Sequence, residues 1–78
     1  MFVVYIYDIK AKNKKKFNRV KRRFYYHLNK LDLERHVWKT KSTIAVQPKT
    51  ERILDIFFND FRKDVVVYKL HATIIERL

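Results

Sequence analysis

The sequence contains no cysteine, no glycine and a single proline, Pro48, in 78 residues. Without cysteine the chain has no disulfide, no thiolate metal site and no thiol nucleophile. Without glycine it cannot build the glycine-rich loop that holds nucleotide phosphates, so that type of nucleotide chemistry is excluded. Long apolar runs are also missing, since none approaches the ~20 residues that span a bilayer. We therefore expect a soluble, cytoplasmic protein that makes no membrane contact.

Acidic residues are scarce too, with 8 Asp and Glu against 19 Lys and Arg and a formal net charge of +11. The imbalance is regional, because no acid lies between Asp8 and Asp32 while ten basic residues do. A solvated helix face usually mixes both signs, so this pattern favours a surface that binds the phosphates of nucleic acid. We assign the phosphate contacts to Lys10, Lys12, Lys14, Lys15, Lys16, Arg19, Arg22 and Arg23.

The strand-forming segments lie at the two ends of the chain and in its middle. Residues 2–7 and 65–70 are apolar at nearly every position, which is typical of strands covered on both faces. Residues 34–39 and 42–47 predict a hairpin, and residues 73–78 are a candidate short fifth strand.

Two helices separate these strands. Asn13 is the predicted N-cap of the first helix, in which apolar residues recur at helical spacing as far as Leu31 while basic residues occupy the outer face. Pro48 opens the second helix, which is expected to end near Lys63. Its predicted buried stripe consists of Ile53, Leu54, Phe57 and Phe61.

The resulting order, βαββαβ, predicts a single α+β domain over residues 1–78. With right-handed crossovers it is the ferredoxin-like arrangement, an antiparallel sheet with the first and last strands at its centre and both helices on one face. The other face would then expose apolar side chains, which is typical of an interface. Since so short a chain has a marginal core, we predict a homodimer in which two open sheet faces stack about a two-fold axis.

Asp8 ends the first strand, directly before the basic segment. One carboxylate is a poor Mg²⁺ site, because this ion is usually held by one or two carboxylates together with waters and phosphate. Two interpretations are open: Asp8 meets its symmetry mate in the dimer and shares an ion with it, or it ends the strand by bonding turn amides.

Several segments together resemble a known family. They are the strand VVYIYDI with Tyr7 and Asp8 near its end, a basic helix ending in HLNKLDLER, the hairpin KSTIAVQ with Ser42, and the closing strand VVVYKL. Their order and spacing, over nearly the whole chain, resemble the small CRISPR-associated spacer-acquisition proteins, an endoribonuclease-like family that partners the Cas integrase. The resemblance implies a ferredoxin-like homodimer with facing sheets that binds duplex DNA, RNA or both.

The resemblance also implies roles for single residues. Asp8 would match the family's metal-associated aspartate, paired across the dimer in an endonuclease that uses Mg²⁺ (or Mn²⁺) to hydrolyse phosphodiesters. Tyr7 would flank that catalytic site, Arg19 would contact the nucleic-acid backbone, and Ser42 would match the hairpin serine.

Three functions from different classes are therefore in view. The first is a DNA-binding scaffold for spacer acquisition, and the second is a stand-alone metal-dependent ribonuclease or other endonuclease in which Asp8 is essential. The third is a single-strand RNA-binding module of the RNA-recognition type, which shares the strand order but needs a glycine-containing aromatic motif that this chain lacks. Because Lys and Arg bind phosphate in either nucleic acid, the sequence leaves RNA and DNA equally open.

Overall fold

The computed structural model describes residues 1–33 and 38–78, which form an antiparallel sheet with two helices on one face. The elements in chain order are β1 (Phe2–Ile9), α1 (Lys14–Asn29), β2 (Trp38–Lys39), β3 (Thr43–Val46), α2 (Glu51–Asp60) and β4 (Val65–Ala72), with a short 3₁₀ turn at Pro48–Thr50. The strands lie in the order β2-β3-β1-β4. This order confirms the predicted ferredoxin-like fold, with β1 and β3 at the centre of the sheet. The prediction that the last strand is also central was wrong, because among the described strands β4 pairs only with β1 and forms an edge of the sheet.

Helix α1 begins where the sequence predicted. Asn13 has an extended backbone, and its side chain accepts a 2.8 Å hydrogen bond from the Lys16 amide. This bond satisfies one of the amide groups that the first turn leaves without a partner. Val20, Phe24 and Leu28 then recur every four residues and are buried against the sheet.

The core lies between the helices and one face of the sheet. Val3, Tyr5 and Tyr7 point to that face from alternate positions of β1, and all three are buried. They pack with side chains of both helices and the neighbouring strands, chiefly Phe24, Leu28, Ile44, Val46, Leu54, Phe57, Phe58, Phe61 and Val65. One continuous core therefore joins α1, α2 and the sheet.

The prediction for the buried stripe of α2 was wrong at one position. Ile53 remains 43% exposed, whereas Phe58 is buried and its ring stacks on Tyr5 with centroids 5.2 Å apart. Phe58 lies one turn beyond Leu54, so these two side chains point the same way, while Ile53 is rotated away by about 100°. The helix also ends at Asp60, earlier than the predicted Lys63, and turns continue to Asp64.

The predicted fifth strand is also wrong. β4 continues to Ala72, which pairs with Phe2 at the start of β1, so the chain beyond Ala72 has passed the end of its partner strand. Residues 73–78 accordingly adopt no regular structure. In the hairpin, β3 matches the predicted second strand; of the predicted first strand, residues 34–37 lie outside the described part of the chain and Trp38–Lys39 form β2.

The face of the sheet opposite the helices is open and apolar, as predicted. Ile6 on β1 and Val66, Tyr68 and Leu70 on β4 lie on this face, and each is between 41% and 69% exposed. These four residues define the open face. Neither α1 nor α2 is long and apolar enough to cross a membrane, and no other helix is described.

Candidate functional site

Asp8 lies near the end of β1 with its carboxylate in solvent. It pairs in register with Val66 of β4, and its position on the strand places it on the same side of the sheet as the open face. Lys10 Nζ lies 2.9 Å from Asp8 Oδ2, and this contact raises the pKa of Lys10. Because both side chains are more than half exposed, the ion pair contributes little to stability. Asp8 is therefore free to exchange Lys10 for another cation.

Asp8 belongs to no metal site that side chains of the described residues could complete. Among residues 1–33 and 38–78, no three His, Asp or Glu side chains are grouped closely enough to hold an ion. Any ion at Asp8 would need ligands from solvent, from a phosphate or from another chain.

Tyr7 points in the opposite direction and belongs to the core. Its ring packs against Phe24 and Phe58, with centroids 5.1 and 5.5 Å away. Its hydroxyl oxygen is buried and has no hydrogen-bond partner in the described part of the chain. Burial, with a smaller contribution from the Tyr25 phenol, raises the pKa of Tyr7. The phenol is therefore neutral at physiological pH and could act only as a hydrogen-bonding group.

The β1–β3 pairing brings Ser42 to the same place. The Tyr7 amide donates to the Ser42 carbonyl at 2.9 Å, and Ser42 is exposed in the turn between β2 and β3. The Tyr25 hydroxyl on α1 donates to the Lys41 carbonyl at 2.8 Å. These two bonds fix the turn between the end of β1 and the side of α1.

The space enclosed by these elements is an open cleft of about 610 Å³. Tyr7, Asp8 and Ser42 all line it, so the structure brings the predicted catalytic pair, Tyr7 and Asp8, together with the hairpin serine. Three lysines line the same cleft, namely Lys21, Lys39 and Lys41. The lining therefore combines one acidic residue and three lysines with four hydroxyl-bearing residues, Tyr7, Tyr25, Thr40 and Ser42, a set suited to a phosphodiester.

The three cleft lysines were not predicted from the sequence. Lys39 ends β2 and Lys41 lies in the turn that follows, and their proximity to Ser42 in the sequence was an available signal. Lys21 was not assigned because nothing in the sequence shows which flank of α1 faces the turn.

The predicted phosphate-binding residues do not all face the cleft. Lys10, Lys12, Lys14, Lys15, Arg19 and Arg22 are exposed around the start and outer surface of α1. Lys16 is half-buried and lies 3.6 Å from Asp64, which offsets part of its charge. Arg23 lies on the flank of α1 nearer α2, where its guanidinium covers the Phe61 ring at 5.1 Å. The basic surface is thus centred on the amino-terminal half of α1 and extends to the cleft.

Comparison with known proteins finds no matching protein-family model, no matching curated protein and no matching solved structure.

Proposed function

We propose that the protein is a nucleic-acid-binding homodimer that acts in CRISPR spacer acquisition, as a scaffold for DNA beside the Cas integrase. The observation that carries the binding proposal is the exposed positive charge around the start of α1. Lys14 and Lys15 lie in the first turn, where the helix dipole is already positive and where α1 has no acidic side chain. A phosphate backbone would relieve this repulsion and release its own counterions. The sequence resemblance supplies the link to spacer acquisition and to the integrase.

The open face supports the dimer. Of the four residues that define it, three are aliphatic and only Tyr68 is aromatic. An aliphatic surface favours a second copy of the same face over the stacked bases that an RNA-recognition module would bind. Stacking about a two-fold axis would also place Asp8 of both chains on the buried side of the sheets, where the two carboxylates could approach each other.

A metal-dependent endonuclease is the second candidate, whether as part of the same assembly or as a stand-alone ribonuclease. It is favoured by the position of Asp8 in a cleft with Ser42 and three lysines. Asp8 of each protomer would hold Mg²⁺ or Mn²⁺, which supplies charge neutralisation and an activated water for phosphodiester hydrolysis. The lysines would bind the flanking phosphates, and the Ser42 hydroxyl would hydrogen bond to a phosphate oxygen.

The salt dependence of binding tests the scaffold proposal. The variant K14A/K15A/R19A removes three exposed cations of the basic surface, while K49A/K63A/R77A removes three exposed cations elsewhere. Binding to a short DNA duplex and to its RNA counterpart is measured by fluorescence anisotropy at several salt concentrations. The plot of log K against log salt concentration has a negative slope. If each side chain contacts one phosphate, the first variant reduces the magnitude of this slope by about 3 relative to the wild type.

The control variant loses the same charge. Comparing its slope with that of the first variant therefore distinguishes the effect of local phosphate contacts from the effect of net charge. Equal slopes for the two variants would overturn the assignment of the basic surface. The ratio of duplex DNA to RNA affinity shows which nucleic acid is preferred.

A further inference from the structure

A second concave surface lies in the helix layer, away from the cleft and from the open face. It is a groove of about 690 Å³ between α1 and α2. Its floor contains Leu31, Phe57 and Phe61, and α2 adds Ile53 and Ile56 to one wall. The opposite wall is α1, which contributes Arg23, His27 and Lys30. The groove is therefore apolar at its floor and basic along one wall.

The groove exists because α2 carries more apolar surface than the core uses. Leu54, Phe57 and Phe58 are buried, yet Ile53 and Ile56 are 43% and 57% exposed. At about 100° per residue, the two isoleucines continue the apolar arc past Phe57 toward α1, well beyond the arc that packing on the sheet requires. Asp60 lies between the two isoleucines on this side of the helix, so the wall contains one acid beside its apolar side chains. Large apolar side chains left exposed around one groove usually mark a binding surface.

Aromatic contacts hold the basic wall in place. Arg23 covers the Phe61 ring at 5.1 Å, and the His27 ring lies 6.2 Å from the same ring. Lys30 Nζ lies 4.4 Å from the centre of the exposed Tyr26 ring. These interactions restrain the side chains of the basic wall. Asp60 is the single acid that lines the groove, and it forms no ion pair with any of the described residues. The charges of Arg23 and Lys30 therefore remain available to a ligand.

We propose that this groove binds an acidic amphipathic helix of a partner protein. Apolar side chains at helical spacing would occupy the floor beside Ile53 and Ile56, and carboxylates on the flank of that helix would meet Arg23 and Lys30. A nucleic acid would satisfy the cations but leave the isoleucines in water. A second copy of this chain, itself charged +11, would bring further cations to the same wall. The proposal does not depend on the DNA-binding function.

Selection from a displayed library of random peptides, about 16 residues or four helical turns long, tests the proposal with the full chain as bait. Enriched peptides are synthesised, and their affinities are measured by fluorescence anisotropy. The two groove variants are I53S/I56S and R23A/K30A, and the control I74S/L78S removes two exposed apolar side chains from the segment after β4, outside both the groove and the open face. All the substituted side chains are exposed, and thermal melting verifies that each variant is folded.

We expect the enriched peptides to be acidic, with apolar residues spaced i, i+3 or i+4, and i+7. Their Kd should rise at least about 10-fold in each groove variant and stay within about twofold in the control, because a few central contacts dominate such interfaces. Enrichment of neutral or basic peptides, or equal affinity for I53S/I56S and the wild type, overturns the proposal. A library without enriched peptides also overturns it, and a loss of duplex binding in R23A/K30A would then assign the groove to nucleic acid.

Discussion

The Tyr5 hydroxyl on β1 donates a 2.7 Å hydrogen bond to Asp55 Oδ1 on α2, and so joins the middle of the sheet to the second helix. Lys69 on β4 extends the connection, with Nζ 2.7 Å from Glu51 Oε2 and 3.0 Å from Asp55 Oδ2. The Lys69 hydrogen bond lowers the pKa of Glu51. Partial burial acts to raise the pKa of Asp55, but the hydrogen bonds from Tyr5 and Lys69 lower it overall. One polar cluster thus joins β1, β4 and α2, which lie far apart in the sequence.

This cluster predicts a specific acid sensitivity. Because the pKa values of Glu51 and Asp55 are lowered by folding, the stability they contribute is present above their unfolded values of about 4 and is lost as the pH falls through the folded values. The melting temperature of the wild type should therefore fall more steeply between about pH 5 and about pH 3 than that of Lys69→Met. Lys63→Met, at an exposed position, is the control, and its melting temperature should follow that of the wild type. If the melting temperatures of the wild type and Lys69→Met fall equally with pH, the cluster contributes no measurable stability.

Phe24 is predicted to be the most costly core position. It is fully buried, and its ring lies within 5.3 Å of the rings of Tyr7, Phe57 and Phe61. Phe24→Ala removes these contacts and leaves a cavity, so the free energy of unfolding should fall by about 3–5 kcal/mol. Since a chain of this size has a total of roughly 4–12 kcal/mol, the variant should be partly unfolded in dilute urea. The neighbouring exposed Tyr26→Ala should cost less than about 0.5 kcal/mol in the same urea titration.

The proposed homodimer predicts different effects for two leucine-sized side chains of equal exposure. Leu70 on the open face and Ile53 on α2 are each 43% exposed. Leu70→Glu should give a monomer by sedimentation equilibrium, because it places a carboxylate opposite its own symmetry mate in an apolar interface. Ile53→Glu should leave the dimer intact. A monomeric wild type at high concentration, or equal dissociation of the two variants, argues against stacking through the open face.

A substitution at Asp8 distinguishes nucleic-acid binding from cleavage. Asp8→Asn removes one exposed negative charge, whose ion-pair partner in the described part of the chain is the similarly exposed Lys10. Stability should therefore change by less than about 0.5 kcal/mol, and duplex affinity should be kept or slightly increased. Any chelator-sensitive cleavage of RNA or DNA should disappear, because the proposed ligand to the ion is gone. Asp32→Asn is the matched control, since Asp32 is also exposed but lies outside the cleft. Cleavage by Asp8→Asn at the wild-type rate would remove the endonuclease proposal and leave the scaffold proposal untouched.

Local signals in the sequence predicted the fold well. The Asn13 cap and the spacing of Val20, Phe24 and Leu28 were sufficient for α1, because capping and helical periodicity act within a few residues. The buried side of α2 was harder to predict. Apolar residues lie around so much of this helix that periodicity alone does not identify the side that meets the sheet. In the structure Phe58 packs against the sheet, and Ile53 remains exposed.

The candidate site was predicted only in part. Asp8 and Ser42 were identified as separate features, but their proximity depends on the pairing of β1 with β3. Tyr7 and Asp8, adjacent in sequence, point to opposite sides of the sheet, so one is core and the other is exposed. Lys21, Lys39 and Lys41 come from two elements that meet only after the hairpin packs beside α1.

The sequence by itself determined the order of the elements, the apolar character of both long strands and the concentration of charge between Asp8 and Asp32. These properties depend on residue type and short-range spacing. Only the tertiary structure decided that Asp8 shares a cleft with Ser42, that Arg23 faces the groove between the helices, and that the last six residues do not extend the sheet. Each of those outcomes follows from strand register and from helix rotation about the core, which long-range packing sets.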